Sequence, residues 1–296
     1  MNLVESVARA ASYLERHGVS SPRLNSEVLL GHVVRLERVE IYTNYDRPLS
    51  AAEAEAYKSL LVKRAGGCPL QYLTGAAGFM GLSFEVGPGV FIPRPETEVL
   101  ALKLLEGLPP GRAEILDLGT GCGNIAVCVA LRHPSAVVVA VDNDRRAVEL
   151  CESNARRYGV SDRIRALVGD LYDALEGRSS PLFEAIASNP PYIPESAVGG
   201  LPVEVRDFEP MEALLGGPDG LDVVRRIVRY APAHLKSGGR LLVEIDDGQV
   251  EEAMNLFDGG WEEVRYHEDL AGRARVVEAR LVATGLSGVN PCSEHR

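Results

Sequence analysis

The chain is 296 residues long, 46% hydrophobic and 25% charged, with a formal net charge of −11. That length holds one large globular domain plus an appendage, and the acidity argues against a nucleic-acid substrate, because such binding draws affinity from phosphate neutralisation by a basic face. No apolar run reaches the roughly eighteen residues of a bilayer span; the N-terminus lacks the basic-then-apolar order of a signal peptide; and the five cysteines, scattered without zinc spacing, suit a reducing cytoplasm and argue against a metal site.

Residues 1–70 read as helices. Val4, Val7, Ala8, Ala11 and Leu14 form a helical apolar stripe, and Leu24, Val28, Leu29, Val33 and Val34 form a second. Ser21 before Pro22 reads as an N-cap followed by a first-turn proline. Ser50 with Glu53 reads as a capping box opening a further helix. This module carries no catalytic constellation, so it is either a structural cap or a platform for a protein substrate. Residues 71–95 are rich in Gly and Pro, with Leu82, Phe84 and Val86 alternating ahead of Val90 and Ile92, and predict a hairpin linker.

From residue 96 strands and helices alternate, which implies parallel βαβ units. Strands are expected near 114–118, 136–142, 164–168, 183–188 and 240–245, with helices at 98–107, 124–132, 144–158 and 219–235. Two last strands, near 261–268 and 273–282, are joined too tightly for a crossover and must pair antiparallel. The pattern predicts an α/β domain over 96–284 with a mostly parallel seven-stranded sheet ending in an antiparallel hairpin. The polar residues 285–296 are expected to form a disordered tail.

Four segments at predicted strand ends carry chemistry. Asp117 and Leu118 run into Gly119-Thr120-Gly121-Cys122-Gly123, where glycines let the backbone turn and approach a ligand at a helix N-terminus. Asp142 ends the next strand, about 20 residues beyond, and is placed to accept hydrogen bonds from ribose hydroxyls. A dinucleotide fingerprint wants its third glycine three places after the second, whereas Gly123 follows Gly121 by two; the GxGxG form after an acidic strand residue looks like the S-adenosylmethionine site of class I methyltransferases. Gly169-Asp170-Leu171 follows the third strand. Asn189-Pro190-Pro191-Tyr192 follows the fourth: two prolines fix their own φ, and the first holds Asn189 extended. The result is a rigid cradle for a planar group with two N–H bonds, an amide or an exocyclic amine. Ligands of open parallel sheets bind at the carboxyl ends of the strands, where all four segments converge.

Ile92-Pro93-Arg94-Pro95-Glu96-Thr97-Glu98, with Pro69-Leu70-Gln71-Tyr72-Leu73-Thr74-Gly75, Phe208-Glu209-Pro210 and the motifs above, resembles the HemK/PrmC family of peptide chain release factor glutamine methyltransferases over nearly the whole chain. The resemblance implies a class I methyltransferase fold with a small N-terminal helical bundle that recognises substrate. It also implies S-adenosylmethionine as cofactor and release factors as protein partners; with the composition and charge above, a cytoplasmic, monomeric enzyme with no nucleic-acid or membrane partner is expected. Asn189, Pro190 and Tyr192 would be catalytic and, with Pro191, would hold substrate. Asp117, Gly119, Thr120, Gly121, Cys122, Gly123, Asp142, Asp170, Leu171 and Asn189 would bind cofactor. Arg94 and Glu96 would either close over the site or form a salt bridge anchoring the linker, and the pairs Arg145-Arg146 and Arg156-Arg157 read as a solvated helix face. Two other targets share the cradle: an adenine N6 amine in nucleic acid, and a glutamine of a ribosomal protein.

Overall fold

The computed structural model describes residues 1–177 and 182–283, so the polar tail at 285–296 lies outside the described residues. The N-terminal helices are α1 (Leu3–Arg16), α2 (Pro22–Val34), α3 (Arg38–Thr43), α4 (Ala51–Ala65) and α5 (Leu70–Thr74). They enclose their own small core of Leu3, Val7, Leu29, Leu30, Ile41 and Tyr57. Capping boxes start α1 at Asn2/Glu5 and α4 at Ser50/Glu53. Ser21 does not cap α2 as expected: at a left-handed φ of 47° it makes no side-chain capping bond, and its carbonyl, with that of Ser20, accepts from the Asn25 side chain.

A short hairpin follows, β1 (Ala76–Phe79) and β2 (Leu82–Glu85), paired antiparallel, whereas Val90 and Ile92 pack as buried loop residues rather than strand. Then come α6 (Glu98–Glu106), β3 (Ala113–Leu118), α7 (Asn124–Arg132), β4 (Ala136–Asp142), α8 (Arg145–Arg157), β5 (Ile164–Val168) and β6 (Phe183–Ser188). The chain closes with α9 (Val203–Arg206), α10 (Asp222–Tyr230), β7 (Leu235–Glu244), α11 (Val250–Met254), β8 (Trp261–Glu268) and β9 (Ala274–Leu281).

The sheet order is β5-β4-β3-β6-β7-β9-β8, parallel from β5 to β7 and antiparallel at β9 and β8. The order reverses between β3 and β6, the switch point at which open α/β sheets bind ligands. Strand alternation feeds two cores. Ile115, Val138, Ala140, Ala185 and Ala187 face α6, α7 and α8; Leu116, Leu118, Val139, Val141 and Ile186 face α10 and α11. Each such Leu, Ile or Val contributes roughly 1.5–3 kcal/mol by leaving water. The helix expected over 219–235 is shorter because Pro232 has no N–H to donate: α10 stops at Tyr230, one turn of 3₁₀ follows, and β7 begins at Leu235.

The excursion between β6 and α10 crosses to the N-terminal helices. Buried Arg64 donates to Asn25 Oδ1 at 2.7 Å and to the Cys68 carbonyl at 3.0 Å, and pairs with Glu204 of α9 at 2.6 Å. Gly67, at φ 96°, lies so close to Val203 and Phe208 that a β-carbon there would sit 2.9 Å from the Val203 methyl.

Candidate active site

A cleft of about 800 Å³ opens at the carboxyl ends of β3 to β6, a size suited to a nucleoside-bearing ligand. One wall is the glycine loop. Gly119 and Thr120 donate their N–H groups to the Val141 carbonyl at 2.8 and 2.9 Å, which draws the loop across the end of β4. Gly119, Gly121 and Gly123 have φ of 70°, 55° and 82°, the left-handed region that favours glycine. A β-carbon at Gly121 would enter open space, whereas one at Gly123 would lie 2.7 Å from Cys151 Sγ. The middle glycine therefore leaves room for a ligand and the last permits α7 to pack on α8.

Asp142 meets this loop. Its Oδ2 accepts the Gly121 N–H at 2.9 Å and its Oδ1 accepts the Asp144 N–H at 2.9 Å. Burial raises its carboxyl above the ordinary aspartate range, against the pull of these N–H groups. Each oxygen keeps a second lone pair, so the carboxylate is a fixed acceptor at the cleft wall.

Not every residue expected to bind cofactor reaches the cleft. Gly119, Thr120, Gly121, Asp142, Asp170, Leu171 and Asn189 line it; Asp117, Cys122 and Gly123 stand behind it. Asp117 is wholly buried and its Oδ2 accepts the Thr120 hydroxyl at 2.7 Å, while Oδ1 has no partner among the described residues. Burial pushes its carboxyl up to about 7. It buttresses the loop from beneath. Cys122 is buried too, its thiol driven far above the usual range by burial. Asp170 pairs with Arg226 at 2.7 Å, and Leu171 holds a φ of 48°, uncommon for a residue with a β-carbon.

Beside the loop, Asn189-Pro190-Pro191-Tyr192 lines the cleft from the end of β6, with the Asn189 carbonyl 3.6 Å from where a β-carbon at Gly119 would sit. The Ser188 hydroxyl donates to the Leu118 carbonyl at 2.8 Å, tying the ends of β6 and β3 together. The Asn189 side-chain NH₂ donates to Thr97 Oγ1 at 3.0 Å. Its NH₂ faces Thr97, and its side-chain Oδ1 remains an acceptor. The Pro190 carbonyl accepts no hydrogen bond among the described residues. Tyr192 donates its hydroxyl to Glu244 Oε1 at 3.5 Å, and its carbonyl accepts from Gln249 Nε2 at 3.0 Å. Gln249 also donates to the Asp219 carbonyl at 3.0 Å, and a β-carbon at Gly220 would lie 2.2 Å from the Tyr192 carbonyl oxygen. The cradle is thus clamped from behind by a glycine turn and one buried glutamine.

Phe91, Arg94 and Thr97 also line the cleft, but the expected Arg94–Glu96 pair is absent. Arg94 instead forms an ion pair with Glu209, stacks over the Phe91 ring at 4.9 Å, and shares Glu209 with the Ile92 N–H. Residues two apart at the start of a helical turn do not face each other, so the partner comes from Phe208-Glu209-Pro210. Arg145 and Arg146 are likewise not simply a solvated face. Both border the cleft, and Arg146 pairs with Asp144 at 2.7 Å, whereas Arg156 makes only an exposed contact with Glu152.

Sequence reasoning missed Thr97, Glu244, Gln249 and Arg226. Thr97 stood inside a motif singled out for its charges. Glu244 had a legible signal, a lone carboxylate ending the apolar run Leu241-Leu242-Val243. Gln249 and Arg226 carried none, since their roles depend on backbone carbonyls and a loop distant in sequence.

The chain matches two family models, "PrmC N-terminal domain" over residues 5–75 and "Methyltransferase small domain" over 82–200. A release factor glutamine methyltransferase of Geobacter sulfurreducens is 42% identical over 91% of this chain and 93% of its own length; one from Moorella thermoacetica is 40% identical over 93% and 97%. Among solved structures, a methyltransferase from Pyrococcus furiosus shares the fold at TM-score 0.50 and 19% identity, over 69% of this chain and 90% of its own. With that identity sustained over nine-tenths of both chains, and with the glycine loop and the Asn-Pro-Pro-Tyr cradle lining one cleft, the chain belongs to the release factor glutamine methyltransferase family.

Proposed function

We propose that this protein transfers a methyl group from S-adenosylmethionine to the side-chain amide nitrogen of the glutamine in a Gly-Gly-Gln loop of peptide chain release factors. The observation that carries the proposal is the committed Asn189 side chain: its NH₂ is held by Thr97, so its Oδ1 and the Pro190 carbonyl are two acceptors for two N–H bonds.

The cleft fits the cofactor on its own features. Gly121 leaves open space where any side chain would intrude, and Asp142 presents a buried acceptor of the kind a ribose diol takes. Gly119, Thr120, Gly121, Asp142, Asp170 and Leu171 would hold it. The cofactor supplies an activated methyl on a sulfonium. The protein supplies alignment. An amide nitrogen is a poor nucleophile because its lone pair is shared with the carbonyl. Accepting both of its N–H bonds fixes the plane of the amide and pushes electron density back onto nitrogen, and positioning of this kind is worth several kcal/mol without a strong base. Tyr192, anchored at Glu244, packs beside the amide plane.

Residues 1–70, which contribute nothing to the cleft wall, form the platform for the release factor, with 71–95 as linker and 96–284 as the catalytic domain. The net charge of −11 supports a protein over a nucleic-acid substrate. No helix among the described residues is long and apolar enough to cross a membrane. The same reading makes the enzyme a monomer of the cytoplasm. The test is transfer of label from S-adenosylmethionine to purified release factor, with a Gln→Ala substrate as control and DNA and ribosomes as competitors. Label that stays with release factor supports the proposal; label drawn to DNA or ribosomes refutes it.

A further inference from the structure

Two buried groups behind the cradle have unused hydrogen-bonding capacity of opposite kinds. Thr97 is 1% exposed; its Oγ1 accepts the Asn189 NH₂ at 3.0 Å, which leaves its own proton to be placed. Glu244 is also 1% exposed; its Oε1 accepts the Tyr192 hydroxyl at 3.5 Å, while Oε2 has no partner in hydrogen-bond geometry among the described residues. Val243 is the register partner of Ser188, so Glu244 stands beside Asn189 at the ends of the adjacent strands β7 and β6, and the Thr97 hydroxyl holds the Glu244 carboxyl down against the effect of burial. A hydroxyl has one proton, and a carboxylate can only accept. If Thr97 gives its proton to Glu244, it can only accept from Asn189. The amide of Asn189 must then turn its NH₂ to Thr97 and its Oδ1 to the cleft.

Resting on the methyl-transfer reading above, we propose that Thr97 and Glu244 are positioning residues that set the polarity of the Asn189 amide, so that the cradle presents an acceptor and not a donor to the substrate nitrogen. A chain of three side chains is required because an isolated asparagine amide is nearly symmetric in shape and turns over by rotation about one bond. A flipped Asn189 would aim N–H at N–H and repel the substrate amide.

The charge on Glu244 decides the direction of the chain. Burial pushes its carboxyl up to about 7, against the Thr97 hydroxyl, the Arg275 guanidinium and the Tyr192 hydroxyl, with the Glu96 charge adding to the rise; Asp246 stands beside Tyr192. Ionised, Glu244 takes the Thr97 proton. Protonated, it can donate instead, and the Thr97 proton is free to turn toward Asn189.

Three variants test this, with methyl transfer and the ¹⁵N side-chain amide signals of Asn189 as separate readouts. Thr97→Val keeps shape and removes the acceptor: kcat should fall roughly 10–100-fold with KM changed less than about threefold, as expected for lost alignment rather than lost binding. Thr97→Ser should restore most of it. Glu244→Gln should lower kcat and flatten an acid limb centred near pH 7. In the spectrum, slow exchange of the Asn189 NH₂ with solvent should be lost in Thr97→Val and kept in Thr97→Ser. Unchanged kcat and unchanged exchange in Thr97→Val overturns the proposal, as does an acid limb that survives in Glu244→Gln. An enzyme that leaves release factor unmethylated yet shows the expected exchange pattern fails the functional reading and leaves the positioning chain standing.

Discussion

At the scale of single residues, the proposed function assigns cofactor binding and methyl transfer to different side chains of one cleft. Asp142 holds the loop through Gly121 and Asp144 and still faces the cleft. Asp142→Ala should weaken S-adenosylhomocysteine binding by about 1.5–3 kcal/mol, the range of charge-assisted hydrogen bonds, and calorimetry measures it directly; binding of NAD in place of S-adenosylhomocysteine would contradict the cofactor assignment. Asn189→Ala should leave that affinity within experimental error and reduce turnover, because it removes an acceptor without touching the glycine loop. Asn189→Asp should also be poorly tolerated: a carboxylate cannot donate to Thr97 Oγ1 as the NH₂ does at 3.0 Å. Turnover unchanged in Asn189→Ala would remove the cradle from the chemistry.

Among the elements, the parallel strands and their order of appearance were legible because alternating apolar runs end in glycine or asparagine turns. The glycine loop was legible because its φ angles demand glycine. Partners across the chain were not. The sequence placed Arg94 near Glu96, whereas the fold brings in Glu209 from 115 residues away, and no local pattern encodes that pairing. Ser21 looked like a cap by composition, but with its left-handed backbone it makes no side-chain capping bond. Glu209 is 5% exposed and its side chain depends on Arg94 for charge compensation. Arg94→Ala should cost about 3–5 kcal/mol by stranding a buried carboxylate, seen as a lower Tm and faster hydrogen exchange over 201–215. Exchange and Tm like those of the parent protein would show that the pair does not hold this segment. An Arg94→Leu/Glu209→Leu double variant should recover part of the loss.

For the whole molecule, buried carboxyls of opposite behaviour shape stability against pH. Asp117 and Glu244 are raised by burial from ordinary values of 3.8 and 4.5 to about 7. The folded state therefore keeps protons that the unfolded chain releases, and their contribution is present at low pH and lost as pH rises toward 7. Glu278 resists its own burial through Arg240, Arg265 and His267, which hold it down at about 2, so its contribution is present above 4.5 and lost as pH falls toward 2. The cofactor-free protein should melt at lower temperature near pH 8 than near pH 5, and Glu244→Gln should reduce that difference; a difference unaltered by the substitution would contradict the burial account. The measurement that bears most directly on the central claim is tandem mass spectrometry of a release factor methylated by this enzyme. One methyl on the amide nitrogen of the Gly-Gly-Gln glutamine, absent with the Asn189→Ala enzyme, is the predicted result. A methyl on any other residue, or on adenine in place of protein, would contradict it.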